Sequence, residues 1–126
     1  MKAQRMAKGA PAFRAELEKL MPGYQWTVHQ SYSENHIEAT GTKSSGFNRL
    51  CTLSVIRTDH TGAVMYEAKS AGYGLRAPWL HTHADKTLAR ALRGLQDHYE
   101  AKAQTYRIHA EDLASGRKGG ATEGSV

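Results

Sequence analysis

Residues 70–86, SAGYGLRAPWLHTHADK, gather the side chains of this sequence best suited to chemistry. His81 and His83 flank Thr82, Asp85 and Lys86 follow, and Arg76 precedes them. Two imidazoles could begin a zinc site, but a tetrahedral centre needs a third and a fourth ligand, for which Cys51 and Asp85 are the candidates. The two histidines straddle an expected strand-to-helix turn, so their rings need not converge. They read as turn and capping neighbours, and no metal or cofactor is assigned. Cys51 belongs to an inward-facing set with Leu53 and Val55, the position of an inert core thiol. Glu38 and Glu67 read as exposed strand carboxylates. No nucleophile lies beside a base, so a non-enzymatic role is expected.

The cations are more informative. Lys86, Arg90 and Arg93 fall at i, i+4 and i+7 and share one helix face near a helix start, where free N–H groups also favour anions. Arg76 and Lys43 could join them in gripping phosphates. The plainer alternative is a solvated face, with Arg93 pairing to Asp97 one turn on. A second candidate is the loop GTKSSGFNR at 41–49. It lacks the Gly-Lys-Ser/Thr order of a nucleotide-binding loop. Its Lys43, Arg49 and hydroxyls could nevertheless contact phosphates while Phe47 stacks on a base or caps the sheet edge. The candidate nucleic-acid-binding set is therefore Lys43, Arg49, Arg76, Lys86, Arg90 and Arg93, helped by Lys2, Arg5 and Lys8.

Positioning these residues requires a scaffold. Pro11 opens a short helix whose Phe13, Leu17 and Leu20 form one apolar stripe, and Met21-Pro22-Gly23 stops it. Period-two alternation then predicts four strands: 24–29, 36–42, 49–57 and 64–69. Thr58–Gly62 reads as a hairpin loop and 41–48 as a flexible connection. A long helix is expected from about Thr82 to Ala114, with Thr82 and Asp85 as a capping pair and Leu88, Leu92, Leu95, Tyr99, Tyr106, Ala110 and Leu113 as its stripe. The fold class is α+β: one antiparallel sheet of about four strands in the order α-β-β-β-β-α, with both helices on one face. Thirty helical residues span ~45 Å, against ~27 Å for an eight-residue strand. Tyr99, Tyr106 and Leu113 thus fall beyond the sheet, where the first helix or a second chain would cover them; they are the candidate oligomer interface.

At 126 residues, 40% of them hydrophobic, the chain suits one compact domain over 11–114, between a flexible basic tail at 1–10 and a disordered tail at 115–126. No run approaches the ~18 apolar residues of a membrane span, and no apolar run follows the basic N-terminus. A single cysteine fits a reducing compartment, so a cytoplasmic location is expected. The formal charge of +5 is unevenly spread. Segment 43–93 has eight Lys/Arg against Asp59, Glu67 and Asp85, whereas 11–42 and 94–113 are each acidic by two. Such polarity suits an acidic partner for one face.

The α-β-sheet-α order with Lys86, Arg90 and Arg93 at the start of the last helix resembles the double-stranded-RNA-binding domain, which implies phosphate contacts from that helix start. The loop 58–62 lacks that family's Gly-Pro-x-His sequence, and the last helix is twice the length. A strand meander followed by a long helix is also similar to small single-stranded-DNA-binding dimers. The expected function is nucleic-acid binding, to DNA or RNA; the alternative is a protein-interaction module with an acidic protein partner, such as an accessory or inhibitor protein of a phage or mobile element. Homodimerisation through the long helix is expected with either, and no membrane partner.

Overall fold

The computed structural model describes residues 9–30 and 33–118; Lys2, Arg5 and Lys8 lie outside the described residues. Two helices and five strands follow one another as α1 (Ala10–Leu20), β1 (Gln25–Val28), β2 (His36–Ser45), β3 (Asn48–His60), β4 (Ala63–Ala71), β5 (Trp79–Asp85) and α2 (Leu88–Arg117). The strands form one antiparallel sheet in the order β1-β2-β3-β4-β5. Each strand is the neighbour of the next, as short connections favour. The α+β class and the antiparallel meander are those expected, with a fifth strand added. The described residues cluster into two compact units divided between Leu95 and Gln96.

Register sorts the sheet into two faces. Trp26, Gly41, Leu53, Ser70 and His81 lie in one row, and Val28, Ala39, Val55, Ala68 and His83 in the next. Both helices cover this face. Phe13 of α1 stacks obliquely on Tyr66 with ring centroids 6.3 Å apart, and Gly9 abuts Ile37. From α2, Leu88, Ala91 and Leu95 are buried. Each large aliphatic side chain removed from water here contributes about 1.5–3 kcal/mol, so this layer is the main source of stability. The other face carries Thr27, Thr40, Ser54, Lys69 and Thr82 across all five strands, opposite the side on which α1 and the start of α2 pack.

Aromatic side chains fix two glycines. The Trp26 ring lies so close over Gly41 that a Cβ there would come within 2.7 Å of its Cζ3. That ring is held by its own indole N–H, which donates to the Met21 carbonyl at 3.1 Å, while Arg14 donates to the Trp26 carbonyl at 2.9 Å. These bonds pin α1 to β1. Gly94, inside α2, faces the His83 imidazole of β5, and a methyl group at 94 would overlap that ring. Glycine costs about 1 kcal/mol in a helix interior, yet it is the residue that lets α2 approach β5 this closely.

Three expectations need correction. Residues 79–85 form strand β5 instead of leading a helix: Thr82 pairs with Lys69, and His81 and His83 with Ser70 and Ala68. The cap of α2 is Thr87, whose Oγ1 accepts from the Arg90 N–H at 3.2 Å and whose carbonyl accepts from Ala91 at 3.0 Å. The Thr82/Asp85 capping pair does not form. Finally, 41–48 is not a loose connection. β2 and β3 run to Ser45 and Asn48 and turn tightly, with Gly46 at φ 59°, a value glycine adopts without strain.

Candidate nucleic-acid interface

The six cations named from sequence fall into two groups at opposite ends of the sheet. Lys43 and Arg49 lie on the β2–β3 hairpin and Arg76 in the adjacent β4–β5 loop. Lys86 and Arg90 lie at the far end of β5, where the chain enters α2, and Arg93 one turn further along the helix. The structure does not gather all six into one patch.

The hairpin end is shaped by two β-bulges. In β3, Cys51 pairs with Lys43 and Arg49 with Ser44, so Leu50 is an extra residue. In β5, His81 pairs with Ser70 and Trp79 with Ala71, so Leu80 is extra. A bulge reverses the alternation beyond it and re-aims the next side chain. Both bulges therefore turn a side chain onto the outward face. Arg49 reaches the outward-facing Thr52, donating from Nη1 to Oγ1 at 3.2 Å. Trp79 meets the outward-facing Lys69, whose ammonium sits 4.7 Å from the ring centroid. Between them lies Ala71, which pairs with both Thr52 and Trp79. At strand spacing, Thr52 and Trp79 backbones are about 10 Å apart across this small-residue floor.

Exposed apolar groups surround the same end. Phe47 at the hairpin tip is fully exposed, Tyr73 and Leu75 are about 70% exposed, and Trp79 and Leu80 are about half exposed. Neither Trp79 nor Leu80 packs into the core. Phe47 does not cap the sheet edge. The β4–β5 loop is tied to the hairpin: Gly74 N–H donates to the Arg49 carbonyl at 2.9 Å, and the Tyr73 hydroxyl donates to Asn48 Oδ1 at 3.0 Å. Arg49 Nε is buried without a hydrogen-bond partner among the described residues.

The charge nearest the turns at this end is of one sign. Segment 39–55 contains Lys43 and Arg49 and no carboxylate, and 68–82 contains Lys69 and Arg76 and none; Glu67, two residues before Lys69 on the same outward face, is the nearest acid along β4. Lys43 shares the helix-covered face with its pair Cys51, so it flanks the patch instead of lining it. Beneath, burial pushes the Tyr24 phenol well above its ordinary range, and the adjoining Cys51 thiol adds to the shift.

The α2 end differs. Asp85 takes an ion pair from Arg90 at 3.4 Å, accepts from the Lys86 N–H at 2.6 Å, and lies 3.9 Å from His83 Nε2. Among the described residues no three His, Cys, Asp or Glu side chains converge in a metal-binding group. The candidate oligomer residues belong to the second unit. Tyr106 and Leu113 are each more than 60% exposed, and Lys102 sits over the Tyr106 ring at 5.8 Å. Tyr99 is half-buried and meets His98 edge-on, with centroids 5.4 Å apart.

Sequence reasoning missed Lys69 and Trp79. Their common face depends on the Leu80 bulge, which leaves no mark in composition. No family model, curated protein or solved structure matches the chain. No helix among the described residues is long and apolar enough to cross a membrane.

Proposed function

We propose that this is a small, non-enzymatic nucleic-acid-binding protein whose principal contact surface is the hairpin end of the sheet. One observation carries the proposal: two bulges turn Arg49 and Trp79 onto the outward face of the sheet with Lys69, whose ammonium lies on the Trp79 ring. Guanidinium and ammonium groups pair with phosphate oxygens, and hydroxyls such as Thr52 add neutral donors. Arg76 extends the cationic surface along the loop, and Lys43 along the hairpin. Lys86, Arg90 and Arg93 take a secondary part, because Asp85 already compensates Arg90.

The test is binding of labelled DNA and RNA to the full chain over a salt series. Affinity should fall steeply as salt rises, because each neutralised phosphate releases counterions. The charge-reversal pair Arg49→Glu/Arg76→Glu should remove most of it. Absence of binding to any DNA or RNA at low salt overturns the proposal.

A second reading is supported by the distal stripe of α2: the chain pairs with a copy of itself through Tyr99, Tyr106 and Leu113. These recur at seven-residue steps from Leu92, the spacing of a helix–helix seam. Sedimentation equilibrium would then register a dimer that Tyr106→Glu returns to monomer; a wild-type monomer at all concentrations rejects it. Docking of an acidic protein on the hairpin end is the remaining alternative. Failure of all nucleic acids in the binding series would favour it.

A further inference from the structure

Resting on the nucleic-acid reading, we infer that the ligand is single-stranded and that an unpaired base stacks on Trp79. A bare cationic patch would serve duplex and single strand alike. Here the patch includes an indole, half exposed, with Lys69 over one face of its ring. An aromatic ring on a sheet face can engage a base only when that base is free of its partner and its stack.

Further exposed rings stand at the same end of the sheet. Tyr73 is bonded to Asn48, and Phe47 sits at the tip of the hairpin that carries Arg49. The floor between Arg49 and Trp79 is built of Thr52 and Ala71, side chains small enough to let a nucleotide lie against the sheet. About 10 Å separates the two walls, room for a base on one side and its phosphate on the other.

Insertion into a duplex is disfavoured by the same end. A free two-stranded ribbon fits the major groove, which is about 12 Å wide. This hairpin is not free, because Gly74 bonds to Arg49 and Tyr73 to Asn48, adding a third chain segment to its flank. Three backbones abreast span about 10 Å before any side chain is counted. Trp79 also lies on β5, separated from the hairpin by β4, and not at the hairpin tip.

The chain has two tryptophans, and Trp26 is buried under α1 while Trp79 is exposed, so indole fluorescence reports on the site. The probes are oligothymidylate, oligouridylate and a mixed-sequence DNA duplex of equal length. Oligothymidylate or oligouridylate should quench the emission, and Trp79→Phe should abolish the quench while keeping most of the affinity. Trp79→Ala should weaken single-strand binding by between about fivefold and a hundredfold, the worth of one base stack, and leave duplex binding unchanged. Far-ultraviolet circular dichroism of each variant checks that the fold is intact. Equal affinity for duplex and single strands, or a silent Trp79 during binding, overturns the single-strand inference while the nucleic-acid proposal stands. No binding by any probe at low salt overturns both.

Discussion

The two ends of the sheet hold similar numbers of cations and use them differently. At the α2 end, Arg90 is drawn to Asp85, which also accepts from the backbone of Lys86. At the hairpin end, Arg49 bonds to a hydroxyl and Lys69 to an indole, both uncharged. A cation beside a carboxylate is locally neutral, and its attraction for a distant anion is largely cancelled. A cation held by a neutral partner keeps its full charge while losing mobility. Net charge along the sequence cannot separate these cases, since segment 43–93 counts both ends together.

Charge reversal tests that contrast most severely. Arg49→Glu with Arg76→Glu should lower nucleic-acid affinity by about a hundredfold or more, two charge-assisted contacts at about 1.5–3 kcal/mol each. Arg90→Glu with Arg93→Glu should cost only a few-fold in the same fluorescence titration. Equal losses would erase the distinction between the ends.

The α2 end has a structural role that the hairpin end lacks. Gly94→Ala should destabilise the protein by about 1–3 kcal/mol in urea unfolding, because the new methyl group overlaps His83. Helix propensity alone predicts a gain of about 1 kcal/mol. The double variant Gly94→Ala/His83→Ala should recover part of the loss, and additive effects would show that the two residues do not meet.

Asp85→Ala should make the α2 end more like the hairpin end. Releasing Arg90 is expected to raise nucleic-acid affinity up to about fivefold at low salt, in line with an exposed pair worth about 1 kcal/mol or less. Stability should fall by a similar small amount. An unchanged affinity would mean that compensation by Asp85 is not what keeps that end in a secondary part.

The smallest effect concerns pH. Burial raises the Tyr24 phenol, beneath the hairpin end, above the value of about 10 that it has in the unfolded chain. The unfolded state therefore loses this proton first, and stability should decline as pH rises beyond about 10 while being fully present below it. Tyr24→Phe should flatten that decline in urea unfolding measured across the alkaline range.

Much of the scaffold is visible in the sequence. Ile37 and Ala39, Leu53 and Val55 alternate with polar residues because one face of the sheet is buried and the other is not. β5 escapes this logic. Its inward positions are His81, His83 and Asp85, so polar residues occupy both faces of an edge strand and the apolar alternation disappears. The candidate cations are also legible as residue types. Their grouping is not, because Arg49 and Trp79 owe their direction to single extra residues, Leu50 and Leu80, that reverse alternation locally.

The contact between Gly94 and His83 carries a consequence for how this sequence can change over time. Gly94 cannot gain a side chain alone. A side chain at 94 demands a smaller residue at 83, and so chains sharing this fold should vary at the two positions together. Where 83 is small, the helix glycine is free to become alanine; where 83 keeps a ring, glycine stays. The pair would thus be a recognisable imprint of the packing between α2 and β5 in sequences too diverged to align by any other feature.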